Sequence, residues 1–332
     1  MLERYISGRF VAPAPYSLRP MKDTEAPGRS CPLHYRYSPK VFNRAPDLGA
    51  EAIYVIGGLY GNVPALERVL AMQAAEPIAV KLVFNGDFNW FDIDPRSFAH
   101  INETVLQHCA LRGNVETELA TDDDAYGCGC AYPDWVGDDV VDKSNRIMRA
   151  LRNTAREFSM LRRCVAALPM HLVAKVGDTK IAIVHGDAES LAGWSFAHEV
   201  LSAQTDDARL KEYFEAADIP LFASTHTCLP VVKSVVLPGG MGAIVNNGAA
   251  GMPNIRGTTF GLITRVATEP AVHPSLFGIR VRDLYVDLLK VEYDQPHWLQ
   301  QFQRNWPSGS SAHASYFARI VNGPDFSGPI EV

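Results

Sequence analysis

From Ala52 onward, short apolar runs alternate with glycine-containing loops and stretches of helical periodicity. The run AIYVIG (52–57) reads as a buried strand, followed by the loop Gly-Leu-Tyr-Gly-Asn and a helix in which Val63, Leu66, Val69, Leu70 and Gln73 share a face. The pattern repeats: AVKLVFN (79–85) is a second strand, GDFNWFDIDP a loop, and PRSFAHINETVLQH a helix opening on proline. A third strand, Cys109 to Arg112, runs into Gly113-Asn114-Val115-Glu116. One long helix is expected from about Val140 to Leu168, then a hairpin of MHLVAKV and TKIAIVH turning at Gly177-Asp178. Two short helices cover about 193–217, and PLFAST, VVKSVVL, GAIVNN and TFGLITRVA are further strands. Strand and helix patterns over 279–305 close the chain. Strands that feed helices through loops predict an α/β sheet with its chemistry at the strand ends.

Residues 1–50 are rich in Pro, Arg and Tyr and lack periodicity, so they read as an extended arm, leaving 51–332 as one main domain. With 47% hydrophobic and 20% charged residues the chain is ordinary globular material. A net charge of −6 argues against bulk binding to a nucleic-acid backbone, which needs clustered Lys and Arg. No apolar run is long enough to span a membrane and the start MLERYISGRF lacks a secretory pattern, so a cytoplasmic protein without membrane contact is expected. Six cysteines in 332 residues do not make a disulfide framework. Cys109 and Cys164 lie in apolar runs and read as small buried hydrophobes.

Four segments end apolar strands and carry possible ligands: Gly86-Asp87, Gly113-Asn114, His185-Gly186-Asp187 and His226-Thr227-Cys228. Carboxylate oxygen, amide oxygen and imidazole nitrogen together suit a divalent ion of the Mn, Fe or Zn type. In order and setting, VIGGLYGNVPALERVL, VFNGDFNWFDIDP, LRGNVE, IVHGD, STHTCLP and VNNGAAGMPN resemble the successive motifs of the calcineurin-like metallophosphoesterases, over about residues 52–265. That resemblance implies a four-layer αββα sandwich of two mixed sheets and hydrolysis of phosphomonoesters or phosphodiesters at a two-metal site. It implies Asp87, Asn114, His185 and His226 as the complete ligand set of one metal.

The sequence also departs from the family pattern. Gly58 and Tyr60 stand where the opening motif has Asp and His, Cys228 replaces the second His of the last motif, and Val115 replaces the His that serves the leaving group. Tyr60 reads either as a plug in the vacated metal position or as a phenolic hydrogen-bonding group. Glu116 reads as a loop or helix-start carboxylate or a substitute proton donor. Cys228 is a further candidate metal ligand at the vacated position, and Cys128 and Cys130, in an insertion at about 117–139, with Cys31 of the arm, are weaker candidates for a rebuilt cysteine metal site. Arg146, Arg149, Arg152 and Arg156 share a helix face, expected to be solvated, and Trp90 and Phe91 read either as shaping a pocket mouth or as core. The expected function is a metal-dependent phosphoesterase acting on a small phosphorylated molecule. The alternatives are a non-catalytic binder of phosphate ligands and metal/Cys chemistry on a non-phosphate substrate.

Overall fold

The computed structural model describes residues 27–332 apart from Thr205, so the arm expected over 1–50 lies outside the described residues up to 26. Its remainder crosses the domain surface, burying Tyr35 and Phe42 and ending in strand β1 (Leu48–Ala50). After it come β2 (Ala52–Ile56), α1 (Val63–Ala74), β3 (Val80–Asn85), α2 (Pro95–Val105), β4 (Cys109–Leu111) and α3 (Asn114–Leu119). The helical segment that follows is α4 (Asp138–Arg156) and α5 (Ser159–Ala166), then β5 (His171–Val176), β6 (Thr179–Val184), α6 (His198–Ala203) and α7 (Ala208–Ala217). The remainder is β7 (Leu221–Ser224), β8 (Pro230–Leu237), β9 (Gly240–Asn247), β10 (Gly261–Ala267), β11 (Ser275–Val281), β12 (Leu284–Val291), α8 (Gln295–Asn305) and α9 (Ser311–Asn322).

Local signals explain most of these elements. Asn62 caps α1 by accepting from Ala65 N, and Asp94 caps α2 by accepting from Arg96 N and Ser97 N, each with proline in the first turn. The buried residues Leu66, Val69 and Met72 of α1, and Phe98, Ile101 and Val105 of α2, follow the helical period. The single helix expected over 140–168 is broken at Phe158 (φ −116°, ψ 60°), whose ring packs on Phe98 with centroids 5.3 Å apart. Cys109 and Cys164 are half-buried rather than fully enclosed.

Two six-stranded mixed sheets form, ordered β1-β5-β6-β7-β9-β8 and β11-β12-β10-β2-β3-β4. Between them Ile53, Val55, Val83 and Leu111 of one sheet share a core with Ile181, Ile183, Ala223 and Val245 of the other. Helices α1 and α2 cover the outer face of one sheet, α6 and α7 that of the other, which completes a four-layer α/β sandwich. A further cluster over the strand ends unites α4, α8 and α9 with Trp90, Tyr132 and Trp194. No helix is long and apolar enough to cross a membrane among the described residues.

Candidate metal centre

The strand ends of both sheets meet at one point. Asn85, at the end of β3, donates from Nδ2 to Val184 O across the sheet interface at 2.7 Å, and Asn247 of β9 donates to Val55 O at 2.9 Å. These bonds tie β3 to β6 and β9 to β2 across the sandwich, and the loops after β3, β4, β6 and β7 carry Asp87, Asn114, His185 and His226. Gly113 permits the approach, because a Cβ there would fall on Asp87 Oδ1 and the His185 ring. Asp87 (φ 55°), His226 (φ 43°), Tyr60 (φ 56°) and Cys228 (φ 63°) all adopt left-handed backbone angles. Such strain persists where surrounding contacts over-determine it, as at ligand sites.

The four side chains present lone pairs to one another. His185 sits 2.7 Å from Asn85 O through Nδ1, which fixes the tautomer and leaves Nε2 facing inward. Around that Nε2 lie Asn114 Oδ1 at 3.2 Å, His226 Nδ1 at 3.2 Å and Asp87 Oδ2 at 3.4 Å. The Asn114 amide is oriented by its own Nδ2, which donates to Cys128 O at 2.9 Å. Asp87, His185 and His226 offer ligand atoms within 4.8 Å of one another, and all three are buried. Acceptors converging with so few protons between them fit a divalent cation, the group that would satisfy all of them at once. Burial and then the neighbouring His185 push the His226 imidazole down to about 3, so it is neutral at physiological pH. For Asp87, burial works upward but is outweighed by the facing His185, which holds the carboxyl below its usual range.

The other expected site residues take different places. Tyr60 lies over Gly58, where an added Cβ would overlap its ring, and its hydroxyl is 3.0 Å from Cys228 Sγ. The phenol thus makes a hydrogen-bonding contact with Cys228, the other position where the resemblance expects a first-metal ligand. Burial lifts the Tyr60 hydroxyl well above its ordinary range, with Cys228 and Asp87 adding to the shift. Glu116 does not line the cavity. Its carboxylate accepts from Asp87 N at 2.7 Å, Gly113 N at 3.0 Å, Phe88 N at 3.1 Å and Asn89 Nδ2 at 3.2 Å, so it clamps two ligand loops together. Burial and then the Asp87 charge raise it to about 7.

A cysteine metal site is not assembled among the described residues: Asp87, His185 and His226 form the one group of three or more His, Cys, Asp or Glu side chains with converging ligand atoms. Cys128 Sγ accepts from Cys130 N, Cys228 is tied to Tyr60, and Cys31 is 3.2 Å from Ser190 Oγ. The 117–139 segment nevertheless reaches the cavity through Cys130 and Tyr132. Trp90 lines it as well, whereas Phe91 is buried edge-on against Phe302 and Tyr316. Three lining residues carry no signal in the sequence, Trp194, Tyr316 and Arg319: Trp194 stands in a stretch with only helical periodicity to mark it, and α9 lies beyond the segment with recognisable motifs.

No protein-family model and no curated protein matches the sequence. Solved structures do. A metallophosphoesterase from Sphaerobacter thermophilus aligns over 82% of this chain and 99% of its own at 19% identity, with a TM-score of 0.51. A hypothetical protein from Pyrococcus horikoshii OT3 aligns over 82% and 98% at 17% identity, with a TM-score of 0.52. The chain has the metallophosphoesterase fold, with a buried Asp/His/His group at the ends of its strands.

Proposed function

We propose that the chain is a phosphoesterase-type hydrolase that works with one divalent metal ion, held by Asp87, Asn114, His185 and His226. The observation that carries this reading is the convergence of their four acceptor atoms at a cavity lined by Tyr60, Val115, Cys228 and aromatic side chains. A bound divalent cation supplies Lewis acidity toward a phosphoryl oxygen and acidifies water. The chain itself supplies position and exclusion: Trp90, Tyr132, Trp194 and Tyr316 wall the cavity and keep bulk water from the phosphoryl group. Val115 faces it where a proton donor would serve the leaving group, and an isopropyl group donates no proton.

The chemistry should therefore favour leaving groups that need no proton. Losing a general acid slows departure of a poor leaving group by about 10²–10⁴-fold. Aryl phosphoesters are expected to turn over and alkyl phosphoesters to lag by about that factor with Mn²⁺, Fe²⁺ or Zn²⁺. Metal analysis of the purified protein should give about one ion per chain, lost in His226→Ala. Wild-type protein that takes up no ion, or two, would refute the single-metal reading. A second reading, a non-catalytic binder of phosphorylated ligands, is favoured by Val115 alone. It becomes the better account if metal and ligand bind while no ester turns over.

A further inference from the structure

Arg319 is buried to 4% exposure, yet none of the ion pairs among the described residues involves it. Other deeply buried arginines are paired: Arg152 with Glu118, and Arg265 with Glu76. The Arg319 guanidinium instead bonds only to carbonyls, with Nη2 donating to Cys228 O at 2.6 Å and Pro253 O at 3.2 Å, and Nε to Pro253 O at 3.3 Å. Its Nη1 makes no hydrogen bond among the described residues, and the side chain lines the same cavity as Asp87, Asn114 and His226. A buried charge is disfavoured unless a counter-ion or further hydrogen bonds complete it, and among the described residues Nη1 has neither.

The place of this charge gives it meaning. Cys228 and Tyr60 close the position that the resemblance assigns to a first metal, and Arg319 grips the backbone of Cys228 itself. A cation from α9 thus stands beside the closed metal position. A divalent ion with the single carboxylate Asp87 leaves one net positive charge, and Arg319 makes two, the charge that a phosphoryl dianion neutralises. The cavity, about 50 Å³, has room for several waters and so for a tetrahedral oxyanion.

We propose that Arg319 is the anion-binding residue of this pocket and substitutes for the missing second metal in holding the phosphoryl group of a small phosphoester. The inference rests on the single-metal reading for the identity of the anion, and its test separates the two. Inorganic phosphate is titrated into wild-type, Arg319→Gln and Arg319→Lys protein, each with and without Mn²⁺, by calorimetry and thermal shift. Phosphate should bind and stabilise the wild type with Mn²⁺, and more weakly without it, where Asp87 offsets the Arg319 charge. Arg319→Gln should keep the metal stoichiometry and lose at least about tenfold in phosphate affinity. A purely structural arginine would lower the melting temperature of Arg319→Gln and leave its phosphate-induced shift intact, which would overturn the proposal. If Arg319→Gln does not fold, Arg319→Lys decides: it keeps the charge without the planar fork, so affinity should fall by about tenfold. Unchanged affinity in that variant, or no phosphate binding by the wild type in either state, would also overturn it. A wild type that binds no metal but binds phosphate through Arg319 would sink the metal reading and leave this one standing.

Discussion

A Cβ at position 58 would overlap the Tyr60 ring, and the Tyr60 hydroxyl is held by Cys228, so these three positions depend on one another. Replacing Gly58 alone should strain a buried aromatic contact, with a loss of about 1–3 kcal/mol. Gly58→Ala is accordingly expected to destabilise the wild type and to have little further effect in a Tyr60→Ala background, measured by denaturant unfolding of the full double-mutant cycle. Simple additivity would mean that the ring does not fill that space. The same logic predicts that Gly58→Asp, Tyr60→His and Cys228→His made together raise metal content from about one ion to about two per chain, read by elemental analysis. The residues that make the plug were visible in the sequence as departures from a motif. Their mutual contact was not, because 168 positions separate Tyr60 from Cys228.

At the scale of elements, α4 shows how a readable pattern takes an unexpected use. Its arginines do share a face, and Arg146, Arg149 and Arg156 are exposed as expected, but the face also meets the acidic segment after α3: Arg149 and Arg152 both pair with Asp124, and Arg156 with Asp122. Arg152 is buried, pairs with Glu118 at 3.1 Å and also donates to Glu118 O and Gly127 O. This clamp fixes the loop that delivers Cys130 and Tyr132 to the cavity. Arg152→Ala should destabilise the protein by about 3–5 kcal/mol, because Glu118 is left buried without its cation. Hydrogen exchange should accelerate locally over 120–132, and a uniform change across the chain would argue against the clamp. The break at Phe158 belongs to this scale too: the periodicity of α4 and α5 runs on without a stop signal, and packing against Phe98 decides where the helix ends.

At the scale of the whole molecule, Asp87 and Asn114 come from one sheet and His185 and His226 from the other, so a bound ion would tie the two sheets together. Because such an ion binds the folded state alone, chelation should lower the melting temperature, and Asp87→Ala should abolish that dependence on metal. An unaltered response to chelator in Asp87→Ala would remove this residue from the ligand set. Stability should also depend on acid through histidines remote from the site. Burial, then Arg44, lowers His171, and burial lowers His198 against the opposing pull of the Pro329 carbonyl, which lies 3.0 Å from its Nε2. Both folded values lie below the unfolded one, so the unfolded chain binds the extra protons. The stability they contribute is present above about pH 6.5 and is lost as pH falls through their folded values. Melting temperature should decline from about pH 7 to about pH 5.5, and His198→Gln should flatten that slope.

Sequence alone determined most strands and helices between 52 and 267, the strand-end loops and four of the residues that meet at the centre, since strand periodicity, caps and Gly-Asp or Gly-Asn turns are local physics. It did not mark β1, α3, α9 or the break between α4 and α5. The family resemblance implied one whole ligand set and one altered. Only the tertiary structure decided that Glu116 is a clamp between loops, that Cys128, Cys130 and Cys228 do not gather into a site, and that Arg319 enters the cavity. Each of these depends on which groups satisfy or abandon a buried charge or lone pair. That is settled by neighbours distant in sequence, such as Cys228 and Pro253 for Arg319, and no local pattern encodes it.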